Sequence, residues 1–372
     1  MKMFLKRIVG AVSALTAAVT LIALNAPKSI NAASETISGG HSHVMCGNLV
    51  HDNCTHENIE FEPFPENNEI LRGKSYYLTK DIVLDKQTRI FIEQGTTNIC
   101  LNGYSIKKEG GQIIDINSIQ GQGAVLNICD CDSRTGVSGK IINTSDDSEY
   151  ACISVIDQSE FNLYGGIVDG GANGIGIEVE KISDGVSQGG SANIYGGTVQ
   201  TQYNCALWID DSDTSLSVFG GKIKSDGYNA VVVTGERSNV LICGGEVIGS
   251  AADYETIYIY GEEAAVTING GSITGENYGA AYCVYGTLNI TGGEVKSESY
   301  KGSTIYNEDT LVLSGGTVSC SGYYGITNFG GGKTTISGGE LKSDGSAINN
   351  LADSEVEIDG GDISSEDYSG IY

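Results

Sequence analysis

Short runs of alternating hydrophobic and polar residues fill most of this chain, and a pair of glycines interrupts each run. In one such unit Leu288 and Ile290 alternate with polar residues, Gly292 and Gly293 follow, and Val295 is apolar between two charged residues. Alternation with a period of two predicts strands that bury one face. Glycine between two such runs predicts a sharp bend at which a side chain would be unfavourable.

The glycine pair occurs nine times between residues 165 and 361, at intervals of 22 to 31 residues. A repeat of this length is typical of a solenoid, in which each repeat forms one coil. A third apolar segment follows each pair, and no segment has the apolar spacing of an amphipathic helix. We therefore predict an all-β fold, namely a right-handed, single-stranded parallel β-helix with three short strands per coil and coils of 22–26 residues.

Equivalent positions of successive coils are expected to lie on top of one another. The residue two places before each glycine pair is always aliphatic, which predicts a buried ladder that includes Ile268, Ile290, Leu313 and Ile336. Asparagine tolerates turn geometry and can hydrogen-bond to a stacked copy of itself. Three asparagines beyond the third strand are therefore predicted to form a second ladder, and they are Asn307, Asn328 and Asn350.

A tyrosine usually precedes the third strand of a coil. Exposed aromatic rings can stack on sugar faces, so this column is a candidate glycan-binding surface, together with the single tryptophan, Trp208. The alternative is that the rings pack on one another and only fill a turn. The candidate ligand-binding tyrosines are Tyr203, Tyr228, Tyr254, Tyr278, Tyr300 and Tyr323.

The first 32 residues have the pattern of a secretory signal peptide. Lys2, Lys6 and Arg7 precede an apolar run over 8–24, and the small residues at 30–32 offer a cleavage site. The alternative is a retained membrane anchor, because the apolar run is of borderline length for a span. We expect cleavage, export, and a secreted or cell-surface protein that is not inserted in the membrane afterwards.

The composition is strongly acidic, with 47 Asp and Glu against 21 Lys and Arg and a net charge of −26. Removal of the signal segment would take away basic residues only, so the mature chain is more negative still. Such a charge argues against nucleic acid and anionic membranes as partners. It is compatible with an extracellular glycan or surface partner. Calcium is also compatible with this charge, although no motif in the sequence supports a calcium site.

Residues 33–66 are rich in histidine and cysteine and end in a proline-containing linker. Imidazole and thiolate groups at these spacings can hold a tetrahedral zinc ion, and a filled set of ligands favours a structural site over a catalytic one. Two alternatives remain: a disulfide between Cys46 and Cys54, or a disordered N-terminal segment without a function. The candidate metal ligands are His41, His43, Cys46, His51, Cys54 and His56.

Residues 67–135 are interpreted as an N-terminal cap with the first irregular coils, and 136–372 as regular coils. Cys100 and Cys129 are about one coil apart, so they should form either a disulfide or a buried ladder of thiols. The segment 178–190 is a polar insertion between two coils. The sequence stops at 370–372, where a third strand should begin, which suggests either a truncated chain or a further element that shields this end.

Three segments of the cap carry a resemblance to a known family. They are Tyr76–Leu84 (YYLTKDIVL), Ile99–Ile106 (ICLNGYSI) and Leu126–Asp132 (LNICDCD), and many Gly-Gly coils follow them. This order resembles secreted right-handed β-helix proteins of anaerobic bacteria, which belong to the pectin-lyase-like class. The resemblance implies the fold and export. The class includes polysaccharide lyases, glycoside hydrolases and adhesins, so it does not imply one activity.

Catalytic machinery is sparse in this sequence. Asp210, Asp211 and Asp213 lie beside Trp208 and are the candidate catalytic acids, but they also fit a solvated turn. No histidine follows His56, and the four arginines beyond the signal segment do not lie in a repeated carboxylate cluster. We therefore expect a non-catalytic extracellular or cell-surface β-helix that acts as a glycan-binding or adhesin-like scaffold. The alternative is a polysaccharide lyase or a glycoside hydrolase of the pectin-lyase-like class.

Overall fold

The regular structure of this protein consists of β-strands arranged in successive coils. A computed structural model describes residues 41–45, 58–65, 70–117, 123–131, 136–146, 149–183, 185–366, 368 and 370–371. Within these ranges there are 35 strands and no helix. The predicted signal peptide at 1–32 lies outside the described residues. In the part of the chain that is described, no helix has the length and apolar character needed to cross a membrane.

Each coil contributes one strand to each of three parallel sheets, and a hairpin precedes them. The hairpin pairs β1 (His41–Val44) with β2 (Asn58–Pro63) in antiparallel register. The first sheet, whose strands precede the glycine pairs, continues from β2 through β4 (Ser75–Tyr77), β6 (Ile90–Cys100), β9 (Ala124–Cys129), β12 (Glu160–Leu163), β15 (Ser191–Ile194), β18 (Ser215–Val218), β21 (Asn239–Ile242), β24 (Ala265–Ile268), β27 (Thr287–Ser297), β29 (Thr310–Cys320), β31 (Lys333–Ile336) and β34 (Glu355–Ile358).

The second sheet consists of the strands that follow the glycine pairs, and it begins later in the chain than the first sheet. It contains β5 (Ile82–Leu84), β7 (Ser105–Lys108), β10 (Lys140–Asn143), β13 (Ile167–Asp169), β16 (Thr198–Thr201), β19 (Lys222–Ser225), β22 (Glu246–Gly249), β25 (Ser272–Gly275), the second halves of β27 and β29, β32 (Glu340–Ser343) and β35 (Asp362–Ser365). The third sheet contains β3 (Ile70–Arg72), the first part of β6, β8 (Ile114–Asn117), β11 (Ala151–Ile156), β14 (Ile175–Glu180), β17 (Leu207–Ile209), β20 (Val231–Val233), β23 (Ile257–Ile259), β26 (Ala281–Cys283), β28 (Ser303–Asn307), β30 (Tyr324–Asn328) and β33 (Ser346–Asn350).

The prediction of a parallel β-solenoid is confirmed, with about 12 turns of about 24 residues each. Its interior consists of aliphatic ladders. Ile268, Ile290, Leu313 and Ile336 are register partners on adjacent strands of the first sheet, and all four are buried. Each ladder position removes an apolar side chain from water, which is the main stabilising contribution to such a fold.

Each glycine of a pair is favoured at its position for a different physical reason. The second glycine of each pair adopts the left-handed conformation, as Gly293 does with φ of +73°, where other residues are strained. The first glycine lies against the coil below. A Cβ atom on Gly292 would lie 2.3 Å from the carbonyl oxygen of Asn269, a distance that no side chain can occupy.

Stacked asparagine side chains form two further ladders, and most of their members are buried. The predicted asparagine ladder forms, with Asn307 Nδ2 donating to Asn328 Oδ1 at 2.8 Å and Asn328 Nδ2 donating to Asn350 Oδ1 at 2.9 Å. A second ladder, which the sequence did not lead us to expect, follows the early rungs of the first sheet. Its members are Asn98, Asn127, Asn162 and Asn193.

Candidate functional site

Two histidines of the N-terminal segment lie against cysteines of the solenoid. Strand β1 presents His41 and His43, and its partner β2 joins the first sheet through pairing with β4. Cys100 is at the end of β6, and Cys131 follows β9. The local reason for this arrangement is apolar and aromatic packing: His41 stacks on Tyr77 with ring centroids 4.4 Å apart, and His43 stacks on Phe61 at 4.6 Å.

The four side chains form a group that could hold a metal ion. Their ligand atoms all lie within 4.8 Å of one another. His41 Nε2 is 3.4 Å from Cys100 Sγ and 3.6 Å from Cys131 Sγ, and the two sulfurs are 3.4 Å apart. A tetrahedral zinc site with ordinary bond lengths has edges of about 3.7 Å between two sulfurs and about 3.5 Å between sulfur and nitrogen. The observed separations are close to these edges.

A third thiol is in reach of the same group. Cys129 is the register partner of Cys100, and its sulfur lies 3.9 Å from His43 Nε2. All three cysteines are free thiols, so of the two predicted arrangements for Cys100 and Cys129 the buried ladder is the one that occurs. The hydrogen bond between its thiol and Cys100, together with burial, raises the pKa of Cys131 to about 12. Without a metal the Cys131 sulfur therefore holds a proton that a bound cation would displace.

The sequence identified only part of this ligand set. His41 and His43 are in the metal group as predicted, whereas Cys46, His51, Cys54 and His56 lie outside the described residues. Cys100 and Cys131 were interpreted only as residues of the cap coils. A signal for them was present, because the two cysteines at 129 and 131 occur one coil after Cys100, on the same corner of the solenoid.

A second surface feature is a row of aromatic side chains on the outer face of the third sheet. Trp208, Val232, Tyr258, Tyr282 and Tyr306 occupy the same register position on five adjacent strands. The ring of Phe329 lies 6.2 Å from Tyr282 and 6.4 Å from Tyr306, between ring centroids. We call the five rings among these residues the aromatic face: Trp208, Tyr258, Tyr282, Tyr306 and Phe329.

Neighbouring contacts hold the aromatic face in place. Successive tyrosine rings of the row are 5.7 and 5.9 Å apart, which is the range of favourable aromatic pairing. The indole nitrogen of Trp208 donates to Thr234 Oγ1 at 2.8 Å, and Thr234 in turn donates to Asp210 Oδ1 at 2.8 Å. The rings are half-buried, so one side of each remains open to solvent.

The predicted tyrosine column borders this face at the turn before the third strand. Tyr203, Tyr254, Tyr300 and Tyr323 are exposed, with Tyr300 the most open at 82%. Tyr228 and Tyr278 are half-buried, and the ring of Tyr228 packs against Tyr254 at 4.5 Å between centroids. Some rings of the column therefore pack on neighbours, and others point to solvent.

Two of the three candidate catalytic acids are engaged with neighbouring groups. Asp213 forms ion pairs with Arg237 at 3.0 Å and with Lys181 at 2.8 Å, and hydrogen bonds from both cations hold the pKa of its carboxyl well below the usual range. Asp211 Oδ2 accepts the backbone N–H of Lys181 at 3.1 Å. Asp211 and Asp213 also have positive φ, which is typical of a turn.

Other carboxyl groups, which the sequence analysis did not single out, lie in and beside the aromatic face. Glu178 precedes Trp208 at the same register position, and burial and the nearby Glu180 and Asp210 raise its pKa to about 8. Glu255 lies two residues before β23 and is only 8% exposed, and this burial raises its pKa to about 7. The hydroxyl of Tyr282 donates to Glu308. The surface therefore combines aromatic rings with carboxyl groups.

Comparison of the chain with family models, with curated proteins and with solved structures found no match. Within the described residues, the metal group and the aromatic face are the two candidate functional sites of this protein.

Proposed function

We propose that this protein is an exported, non-catalytic β-solenoid that binds a glycan at the cell surface and presents it on a rigid scaffold. The observation that carries this proposal is the aromatic face, a row of rings repeated at the coil spacing of about 4.8 Å. Flat, half-exposed rings with a polar edge suit the apolar faces and hydroxyl groups of sugars. The exposed tyrosines of the neighbouring turns, Tyr203, Tyr254, Tyr300 and Tyr323, would widen the same surface.

Export is part of this proposal. The pattern of residues 1–32 and the likeness to secreted pectin-lyase-like β-helix proteins both favour it. An acidic chain with a net charge of −26 is suited to remain soluble outside the cell and to avoid polyanions. A strict test is to separate culture medium, cell surface and cell interior and to locate the protein with an antibody. Recovery from the cell interior alone would contradict export.

We also propose that zinc is the resident metal of the His41, His43, Cys100 and Cys131 group, and that its role is structural. Two imidazoles and two thiolates form a complete tetrahedral set, which leaves no open position for a substrate. The ion would fasten the β1–β2 hairpin to coils that are far away in sequence, and so cover the first rung of the first sheet. Zinc analysis of the purified mature chain at neutral pH should give about one equivalent, as expected for a closed site of this kind.

One observation favours the alternative function of a glycoside hydrolase. Burial raises the pKa of Glu178 to about 8, and glycosidic hydrolysis requires a carboxyl that keeps its proton near neutral pH and a second carboxyl, here Asp210, close to it. Against this alternative, Asp213 is engaged in ion pairs and Asp210 accepts a hydrogen bond from Thr234. A polysaccharide lyase has less support, because the arginine beside these acids, Arg237, is engaged in ion pairs with Asp213 and Glu236.

The experiment that tests glycan binding is an array of glycans probed with the mature chain, run beside a sugar-release assay with and without calcium. The double variant Tyr258→Ala and Tyr282→Ala should bind about 30-fold more weakly, since each ring contributes on the order of 1 kcal/mol. Tyr195→Ala, on the first sheet, is the matched control and should bind normally. Release of product would favour the enzyme, and an absence of both binding and release would remove both functions.

A further inference from the structure

Glu255 is a carboxyl group for which the fold supplies no basic partner. It is 8% exposed, and among the residues that the structure describes no lysine, arginine or histidine forms an ion pair with it. Its side chain lies tightly against the next coil, since a Cβ atom on Gly279 would be 3.0 Å from Glu255 Cγ. Its position two residues before β23, the strand that carries Tyr258, places it beside the aromatic face. A buried carboxyl without a basic partner ionises only at a cost, and an external cation would offset that cost.

Further carboxyl groups continue along the face. Glu178, Glu180, Asp210 and Glu308 lie on the third sheet or directly after its strands. In the described ranges, none of these four carboxyls forms an ion pair with a basic side chain, whereas acids of the second sheet such as Glu246 and Glu340 pair with a lysine. One buried oxygen of Glu180 also lacks any hydrogen-bond partner. Carboxyl groups without a basic partner therefore lie along the face that carries the aromatic rings.

A single metal ion does not satisfy these carboxyls. Calcium needs six to eight oxygen ligands around one point. Among the described residues, the acids of the aromatic face do not converge within metal-binding distance, and the His41 group is the one set that does. Their positions instead follow the solenoid axis from β14 to β28, so the complementary charges should be spread along an extended molecule.

We propose that the aromatic face binds an extended polysaccharide whose sugars carry free amino groups. This inference rests on the proposed glycan-binding function and names the class of glycan. Ammonium groups would form charge-assisted hydrogen bonds with Glu255 and the other carboxyls. Cation–π interactions with the faces of the tyrosine and tryptophan rings would add to the binding free energy. The sugar rings would stack on the aromatic row, with one coil rising by about the length of one sugar unit. Anionic sugars would be repelled by the same surface.

The test compares ligands of one chain geometry that differ in charge. Binding of the mature chain is measured by calorimetry at neutral pH and low salt with glucosamine oligomers, N-acetylglucosamine oligomers and cellulose oligomers of equal length. The glucosamine oligomer should bind more tightly than the other two, by about tenfold or more. Only this ligand has ammonium groups, and one charge-assisted hydrogen bond from such a group to a carboxylate accounts for a factor of that size. Raising the salt concentration should reduce this preference, because the pairs are partly exposed.

Substitutions test whether the preference for amino groups arises from the aromatic face. Glu255→Gln should weaken binding of the glucosamine oligomer about tenfold and leave the N-acetylglucosamine oligomer unaffected. Glu246→Gln is the matched control, because Glu246 is an exposed acid on the second sheet that pairs with Lys222, and it should bind like the parent chain. A lysine oligomer of equal charge tests simple attraction between opposite charges, and it should bind more weakly than the glucosamine oligomer.

The outcomes separate this inference from the function on which it rests. Equal binding of all three sugars would overturn the preference for amino groups and leave the glycan-binding function standing. Binding of none of them, together with an empty glycan array, would remove both. A lysine oligomer that binds as tightly as the sugar, with no effect of Tyr258→Ala and Tyr282→Ala, would reduce the face to a nonspecific acidic patch. Unchanged binding of glucosamine oligomers by Glu255→Gln would also overturn the assignment.

Discussion

The buried carboxyl of Glu255 makes the stability of the solenoid depend on pH, and replacing it with glutamine should remove that dependence. Burial raises its pKa from the ordinary 4.5 to about 7, so the folded protein retains this proton in a range where the unfolded chain has lost it. Stability contributed by such a group is present at low pH and is lost as the pH rises from 4.5 through 7. Glutamine has nearly the same shape and does not ionise.

The size of the effect follows from the two pKa values. A tenfold change in proton affinity corresponds to about 1.4 kcal/mol, so the two values together correspond to a loss of about 3 kcal/mol once the group is ionised in both states. Between pH 5 and pH 8 the loss grows by about 2.5 kcal/mol. For a chain of this length that difference corresponds to about 3–4 °C in the midpoint of thermal unfolding.

The assay is thermal unfolding of the parent chain, Glu255→Gln and the control Glu246→Gln at pH 5 and pH 8, followed by circular dichroism. Glu255→Gln should gain about 3–4 °C over the parent chain on going from pH 5 to pH 8. The control should follow the parent, because Glu246 is exposed and paired with Lys222. Parallel curves for the parent and Glu255→Gln would refute the reasoning, since they would mean that the carboxyl is solvated or paired in the folded protein.

Four further predictions concern the metal group, the ladders and the glycine bend. Cys131→Ser should lose most of the bound zinc and Cys243→Ser should retain it, as measured by metal analysis; equal zinc in both would exclude Cys131 as a ligand. Ile290→Ala should destabilise the solenoid by about 2–5 kcal/mol in denaturant unfolding, because the side chain is fully buried, and a loss below 1 kcal/mol would argue against a packed ladder. Gly293→Ala should cost about 1–2 kcal/mol through its positive φ, and a neutral result would mean that the turn can rearrange. Asn328→Ala should cost about 1–3 kcal/mol and increase hydrogen exchange in the flanking coils, whereas unchanged exchange would show that the ladder contributes little.

The sequence by itself determined the architecture, because the rules that build one coil are local. The alternation around Leu288 and Ile290 gives two strands, and Gly292 with Gly293 gives the bend between them. Repeating this unit places like residues one coil apart, so the ladders through Ile290 and Asn328 could be predicted in register. The same reasoning did not extend to the early coils, whose repeats are irregular, and the asparagine ladder there was not expected.

Only the tertiary structure decided which side chains meet across coils that do not follow this pattern. His41 approaches Cys100 over 59 residues and Cys131 over 90, through a hairpin whose docking depends on the packing of Phe61 and Tyr77. The aromatic face likewise depends on the register of the third sheet, whose outward positions vary from coil to coil. A repeating sequence specifies the distance between neighbouring coils. It does not specify which surface residues from distant segments complete a site, because that depends on how the hairpin and the turns pack against the solenoid.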